Sequence, residues 1–248
     1  MSNTVIDPRP GKGDERLPDT GILCINPSEV PFMVRLAKEQ HGRRRKLFNS
    51  NLFYIPAIVP AQSYFMAGPA VGAPMAVLTL EKLIALGARQ IIVFGWCGSL
   101  SRSLHLNDVF LPTWALSEEG TSSHYPVKVR PESSQALRKI LLSRIAHQET
   151  KLLEGAIWTT DAPYRETRAK VRSYGEQEIL AVDMEFSALC TVAAFRKVEM
   201  AAVLIVSDEL WHHSWRPGYR NRDFKKKSVD IFGILTDCCR FSLAAASA

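Results

Sequence analysis

The sequence lacks the features that mark membrane, secreted and metal-binding proteins. Its five cysteines form no CxxC pair and no zinc-ligand spacing. No apolar run approaches the roughly 18 residues of a membrane-spanning helix, and residues 1–20 contain no apolar signal-peptide core. We therefore expect reduced core thiols, no metal site, no membrane contact and a cytoplasmic location.

Internal repeats and low-complexity linkers are also absent, which argues against a multidomain array. A chain of 248 residues with 46% hydrophobic and 23% charged residues can bury a sizeable core. We predict a flexible N-terminal segment over residues 1–19, where prolines and glycines cluster, and a single α/β domain over residues 20–248.

The net charge of the chain is +6, and its basic residues cluster at two places. Basic runs occupy residues 43–46 and 225–227, and we predict that both are solvated loops. No helix-turn-helix, zinc-finger or RNA-recognition signature accompanies them. A nucleic-acid partner is thus not expected and ranks last among the hypotheses, whereas attraction of a small anion stays open.

Apolar runs and helical periodicities alternate along the chain. The runs predict strands at residues 21–25, 52–59, 63–66, 90–94, 108–114, 154–159, 179–182 and 200–206. The periodicities predict helices at residues 30–40, 77–87, 133–147, 164–174, 184–196 and from about 226 to the C-terminus. This alternation predicts an α/β fold with a covered, mostly parallel sheet.

Four predicted junctions between strands and helices carry glycines or acids. They are GPAVG at 68–72, GWCGS at 95–99, VDME at 182–185 and Ser207-Asp208. Ligands of α/β proteins gather at such junctions, and glycines there let a ligand approach the backbone. Taken one at a time, each has a structural explanation, because an acid can stabilise a helix start and a Ser-Asp pair can cap a turn.

Together and in this order, the motifs GPAVGAPMA (68–76), GWCGSL (95–100) with NDVFLP (107–112), VDMEFSAL (182–189) and VSD (206–208) resemble the nucleoside phosphorylase superfamily of purine and uridine phosphorylases and nucleosidases. The resemblance covers most of the chain. It implies a three-layer αβα sandwich around a central mixed, partly closed sheet, and a homo-oligomer from dimer to hexamer. It also implies cleavage of a nucleoside N-glycosidic bond, with phosphate as co-substrate and no other cofactor.

The resemblance assigns roles to the two acids. Glu185 accepts hydrogen bonds from ribose hydroxyls, and Met184 supplies an apolar surface beneath the sugar. Asp208 is the predicted general acid or the group that fixes a proton on the base. For the base, the resemblance points to Trp96, Tyr164, Arg168 and Ser207, with Tyr164 stacking and Arg168 reaching a carbonyl. The aromatic segment 209–219 is predicted to form a lid.

The sequence departs from the family at the phosphate site. The first turn reads Asn26-Pro27-Ser28-Glu29 instead of Gly-Asp-Pro, and Val93 stands where the family has an Arg. Arginine normally supplies much of a phosphate site's charge. We place the phosphate and nucleophile region at Gly68, Gly98, Ser99 and Arg45, the last as a partial replacement for the missing charges.

Three functions therefore stay open at this point. Phosphorolysis to a free base and ribose 1-phosphate is preferred. The first alternative is a phosphate-independent nucleosidase in which Glu29 activates water; Glu29 is equally well explained as a residue at the start of the next helix. The second alternative is a family member that binds a nucleoside without cleaving it.

Overall fold

The computed structural model describes residues 4–146 and 150–243. Among these residues ten strands form one sheet: β1 Thr20–Cys24, β2 Arg43–Leu47, β3 Ser50–Ile55, β4 Tyr64–Gly68, β5 Gln90–Ser99, β6 Val109–Glu118, β7 Leu152–Thr160, β8 Ile179–Asp183, β9 Glu199–Glu209 and β10 Arg216–Pro217.

Six α-helices connect or flank these strands in the described part of the chain. They are α1 Val30–Glu39, α2 Ala73–Ala85, α3 Gln135–Ile145, α4 Arg168–Glu176, α5 Phe186–Arg196 and α6 Arg222–Asp237. A π-helical turn, Cys238–Leu243, follows α6. The predicted helix ends at His147 and at the C-terminus lie outside the described residues.

The strand order is β10-β9-β6-β7-β8-β5-β1-β4-β3-β2, with an additional pairing between β9 and β5. That pairing is parallel and runs from Gln90 opposite Glu199 to Ser99 opposite Glu209. Because β9 also pairs with β6 and β8 also pairs with β5, strands β5, β9, β6, β7 and β8 close into a barrel. The sheet mixes parallel and antiparallel pairs, so the mixed, partly closed sheet implied by the resemblance is confirmed, and the mostly parallel one is not.

Helices cover both faces of the sheet, as expected for an αβα sandwich. One buried hydrophobic cluster contains side chains of α2 and α5, including Leu80 and Leu189. A second cluster packs α1, α3 and α6 against the opposite face, with Met33, Leu141 and Phe232 fully buried. A strand buried on both faces reads as a continuous apolar run, which is why the pattern predicted most of these strands.

The prediction that the two basic runs form solvated loops is wrong. Residues 225–227 lie in α6. Residues 43–47 form the edge strand β2, paired antiparallel with β3. The side chains of Arg43 to Lys46 are exposed there, and charged side chains are a common feature of edge strands. The apolar pattern could not reveal this strand, because almost none of it is buried.

The glycine motif at 95–99 also differs from its prediction as a turn. It continues β5 as a strand up to Ser99, with a register shift against β9 between Cys97 and Gly98. A Cβ atom on Gly98 would lie 2.4 Å from Leu210 Cδ1, so glycine is required by close packing. Ser207 and Asp208 likewise lie inside β9 instead of following it.

The N-terminal segment contacts the rest of the domain. Asp14 forms ion pairs with Arg45 of β2 at 2.9 Å and with Lys82 of α2 at 2.7 Å. Leu17 is buried in the core cluster beside α2. No helix in the described part of the chain is long and apolar enough to span a membrane.

Candidate active site

A cavity of about 560 Å³ opens where the C-terminal ends of β1, β5, β8 and β9 meet. We call it the main cavity. Its lining includes Asn26, Trp96, Gly98, Tyr164, Glu166, Arg168, Asp183, Met184, Glu185, Ser207, Asp208 and Trp215. Eight of these twelve residues are ones that the sequence analysis selected, so the fold brings most of the predicted site together.

Glu185 lies at the N-terminal end of α5 and is 6% exposed. Its Oε1 accepts a hydrogen bond from the backbone N–H of Gly72 at 2.6 Å. Burial, and secondarily the charge of Asp183, raise the pKa of Glu185 to about 8. Near neutral pH this carboxyl is therefore mostly protonated. Met184 lies next to it on the cavity wall.

Asp183 holds Glu185 in place. Its Oδ2 accepts hydrogen bonds from the backbone N–H groups of Phe186 at 2.7 Å and Glu185 at 3.2 Å, so two N–H groups at the start of α5 are paired. Its Oδ1 accepts from the Thr159 hydroxyl at 2.7 Å. Burial raises the pKa of Asp183 to about 6. Asp183 belongs to the motif VDMEFSAL, but no role was predicted for it from the sequence.

Asp208 lies across the cavity on β9. Its Oδ1 accepts a hydrogen bond from the Ser207 hydroxyl at 2.6 Å, and its Oδ2 accepts from the Trp215 indole N–H at 2.7 Å. The short strand β10 pairs with Asp208 and Glu209, so the segment 210–215 folds back over the cavity. The predicted lid thus contacts the predicted acid directly through Trp215.

A fourth carboxyl of the main cavity, Glu166, was not predicted from the sequence. Its side chain is partly buried in the wall of the main cavity and forms no hydrogen bond with any described residue. Burial, and then the charge of Asp208, raise the pKa of Glu166 to about 7. The segment 160–168 was predicted to contact the base through Tyr164 and Arg168, and nothing in the sequence singled out the glutamate between them.

Four predicted site residues do not line the main cavity. Ser99 is fully buried, and its hydroxyl lies 2.7 Å from the Leu104 carbonyl oxygen, to which it donates. Gly68 packs so closely against the backbone of Cys24 that a Cβ atom at position 68 would overlap the Cys24 carbonyl oxygen. Arg45 lies on β2, paired with Asp14. Their predicted role at a phosphate site has no support from their positions in this chain.

Glu29, the fourth, lies in a separate cavity of about 300 Å³, which we call the side cavity. It is 4% exposed, and its Oε1 accepts a hydrogen bond from the Ser28 hydroxyl at 3.1 Å. Trp96 and Tyr219 line both cavities and stack with ring centroids 5.8 Å apart. The stacked pair therefore stands between Glu29 and the main cavity.

Comparison with known proteins identifies the family of this chain. A model of the phosphorylase superfamily matches residues 19–229. The chain belongs to the phosphorylase superfamily. This membership explains why the four sequence motifs converge on one cavity, since they come from four separate strands of a single shared fold.

Relatives within the phosphorylase superfamily are distant. The chain is 27% identical over 142 residues to a guanosine phosphorylase of Halorubrum lacusprofundi, covering 56% of this chain and 58% of the relative. It is 28% identical over 147 residues to a DeoD-type purine nucleoside phosphorylase of Bacillus cytotoxicus, covering 58% and 63%. The matched part thus spans about three fifths of each relative.

Solved structures of the phosphorylase superfamily share the fold. The purine nucleoside phosphorylase of Toxoplasma gondii superimposes with a TM-score of 0.81 at 18% identity, covering 99% of both chains. The uridine phosphorylase of Vibrio fischeri gives a TM-score of 0.75 at 20% identity, covering 94% of this chain and 93% of its own. At these identities the likeness establishes the fold and not the substrate.

Among residues 4–146 and 150–243, no group of three or more His, Cys, Asp or Glu side chains is arranged to hold a metal ion.

Proposed function

We propose that this protein cleaves the N-glycosidic bond of a nucleoside by phosphorolysis, releasing the free base and ribose 1-phosphate. The observation that carries the proposal is the placement of Met184 and Glu185 across one cavity from Ser207 and Asp208. Met184 and Glu185 suit the sugar of a nucleoside, and Ser207 and Asp208 suit its base. The names of the superfamily relatives, guanosine and purine nucleoside phosphorylase, support phosphate as the acceptor.

Glu185 is proposed to bind the ribose hydroxyls. Glycosidic cleavage passes through an oxocarbenium-like sugar, and hydrogen bonds to the sugar hydroxyls strengthen in that transition state. The Gly72 N–H holds one oxygen of the Glu185 carboxyl, and Asp183 accepts a hydrogen bond from the Glu185 backbone N–H. Such a preorganised carboxyl positions the sugar without further rearrangement. Met184 is proposed as the apolar surface beneath it.

Asp208 is proposed to hold or deliver a proton at the departing base. A base leaves as an anion unless a donor neutralises it, so a positioned acid lowers the barrier. The Ser207 hydroxyl donates a hydrogen bond to one oxygen of Asp208, and the Trp215 indole N–H donates to the other. Tyr164, Trp96 and Arg168 are proposed to contact the base.

The acceptor is the less supported half of the proposal. Arg168 is the one lysine or arginine among the described residues that line the main cavity, against four carboxyls at Glu166, Asp183, Glu185 and Asp208. Even with Glu185 mostly protonated near pH 7, acids outnumber this one arginine, so the cavity attracts a phosphate anion less well than a basic cavity would. Hydrolysis is therefore the second candidate, with Glu29 reaching the main cavity only if Trp96 moves.

The test incubates the protein with purine and pyrimidine nucleosides, with and without phosphate, and follows base and sugar products. Ribose 1-phosphate formed only with phosphate supports phosphorolysis. Free ribose in both reactions supports hydrolysis. Nucleoside binding with no product in either reaction leaves the non-catalytic alternative.

Substitutions separate the roles within the same assay. Glu185→Gln and Asp208→Asn should each lower kcat/KM by about a hundredfold or more, the usual range for a positioned acid or base. Glu29→Gln is the matched control, because it removes a buried carboxyl outside the main cavity. Full activity in Glu29→Gln supports phosphorolysis, and loss of activity supports hydrolysis.

The predicted homo-oligomer offers another source of phosphate-binding charge. We propose that Arg45 is the residue to test, since its position on the edge strand β2 exposes it to a neighbouring copy. Sedimentation gives the oligomeric state. Arg45→Gln should raise the KM for phosphate without changing that for the nucleoside.

A further inference from the structure

A second pocket, of about 520 Å³, adjoins the main cavity. We call it the arginine pocket, because Arg102, Arg168 and Arg172 line it. Its wall is shared with the main cavity at Arg168, Val171, Leu210, His212 and His213. This shared layer of side chains separates the main cavity from the arginine pocket, so a ligand that occupies both has to displace part of the layer.

Two of the three arginines lack a compensating acid among the described residues. Arg102 lies over the Trp211 ring, 5.8 Å from its centroid. Arg168 donates a hydrogen bond to the His213 carbonyl oxygen at 2.6 Å. Only Arg172 forms an ion pair, with Glu176 at 2.9 Å.

Trp211 on the wall of this pocket has an unpaired hydrogen-bond donor. Its indole N–H is buried and has no acceptor among the described residues. A buried donor without a partner is unfavourable, so a shift of the Trp211 ring that lets a ligand oxygen accept from it would be stabilising. Guanidinium groups match the oxygens of phosphate and carboxylate with paired hydrogen bonds. The chemistry of the pocket is thus that of an anion site.

We propose that the arginine pocket binds an anionic group, phosphate or carboxylate, carried by the ligand of the main cavity. This inference rests on the proposed function for its nucleoside part. Met184 and Glu185 line the main cavity alone, so the anionic group lies at the end of the ligand away from them. The ligand class is a nucleotide, or a nucleoside whose base bears a carboxylate.

The test compares dissociation constants by calorimetry at low salt. The probes are guanosine against guanosine 5′-monophosphate, uridine against orotidine, whose base bears a carboxylate, and inorganic phosphate alone. One of the two anionic probes should bind about tenfold more tightly than its neutral partner, the size of one charge-assisted hydrogen bond. Which one does so identifies the source of the anion.

Variants then locate the effect. In Arg102→Gln/Arg172→Gln the preference for the anionic probe should fall to less than twofold. Arg130→Gln is the matched control, because Arg130 is an exposed arginine paired with Glu132 and lines neither cavity. It should retain the tenfold preference. If the double variant does not fold, Arg102→Gln alone replaces it.

Three outcomes overturn the inference. Equal affinity for anionic and neutral probes rejects the arginine pocket but leaves the proposed function intact. Inorganic phosphate that binds as tightly as the anionic nucleoside, and loses that affinity in the double variant, marks a site for a free anion instead. Failure of every nucleoside and nucleotide to bind or be cleaved rejects the proposed function and this inference together.

Discussion

The backbone N–H of Gly72 donates a hydrogen bond to the Oε1 of Glu185 at 2.6 Å, across 113 residues of sequence. The contact joins the glycine turn before α2 to the start of α5, the two helices that pack on one face of the sheet. A backbone donor cannot be removed by changing a side chain. The geometry of the turn itself therefore sets the position of Glu185.

Gly72→Ala should weaken that turn. Gly72 has φ +83° and ψ 144°, a conformation that L-residues other than glycine rarely adopt, while a Cβ there would meet no atom within 4 Å. Backbone strain alone should cost about 1–3 kcal/mol. Thermal unfolding should show a lower Tm, and the KM for the nucleoside should rise because Glu185 loses its support.

Gly233→Ala is the control for this change. Gly233 lies inside α6 and its Cβ would also meet nothing within 4 Å. There alanine should stabilise the helix by about 0.5–1 kcal/mol. An unchanged Tm and KM in Gly72→Ala would show that the turn tolerates a side chain.

Glu185 should make stability depend on pH. Because its folded pKa is raised to about 8, the protonated form is favoured by folding, and its stabilising effect is full below the unfolded pKa. The free energy of unfolding should fall as pH rises towards and through 8. The glutamine in Glu185→Gln cannot ionise. The difference in Tm, variant minus wild type, should therefore increase from pH 5 to pH 9. Parallel Tm curves for the two proteins would contradict a buried, protonated Glu185.

Glu166 should control activity near neutral pH. Its pKa of about 7 means that it carries a negative charge above that pH, beside Asp208 and the predicted base site. A negative charge there opposes the charge that develops on the departing base. In the wild type, kcat/KM should therefore fall as pH rises through 7.

Glu166→Gln should remove this descending limb. The measurement is log kcat/KM between pH 5 and pH 9 for both proteins. Glu154→Gln is a suitable control, since Glu154 is paired with Arg138 outside the main cavity. A limb that persists in Glu166→Gln would assign it to another group.

Trp215→Phe should release Asp208. The indole N–H occupies Asp208 Oδ2 at 2.7 Å, so a base that uses this oxygen has to displace it. Hydrogen bonds to charged groups contribute about 1.5–3 kcal/mol, and phenylalanine keeps the aromatic ring without the donor. The KM for the nucleoside should fall by about tenfold. A higher KM would show that Trp215 closes over the base and aids its binding.

Particular residues show how far the sequence alone could be interpreted. Apolar neighbours predict a strand or helix beside the acids at 185 and 208, but their roles were predicted only from the resemblance of the ordered motifs to the phosphorylase superfamily. No role was predicted for Glu166, because it lies in a polar segment where glutamate is ordinary. Its partial burial comes from the lid segment and β9, which are about 40 residues away along the chain.

The roles predicted for Ser99 and Arg45 from the family resemblance lack structural support for a different reason. Ser99 looked like a ligand-binding hydroxyl after a strand, but β5 extends to Ser99 and the hydroxyl binds the nearby backbone. Arg45 looked like a free cation, but residues 13 and 14 of the N-terminal segment accept its hydrogen bonds. Local sequence cannot reveal such partners, because they are fixed by packing between distant segments.

The sequence by itself determined the alternation of strands and helices and the order of the motifs, and through their family resemblance it singled out Glu185 and Asp208 for test. The alternation follows from local periodicity and the motifs from residue identity, and neither needs a distant partner. Only the tertiary structure decided that β9 pairs with β5 and closes the barrel, that Trp96 separates Glu29 from the main cavity, and that Gly72 fixes Glu185. Each of these depends on contacts between residues far apart in the chain, and no local pattern encodes such contacts.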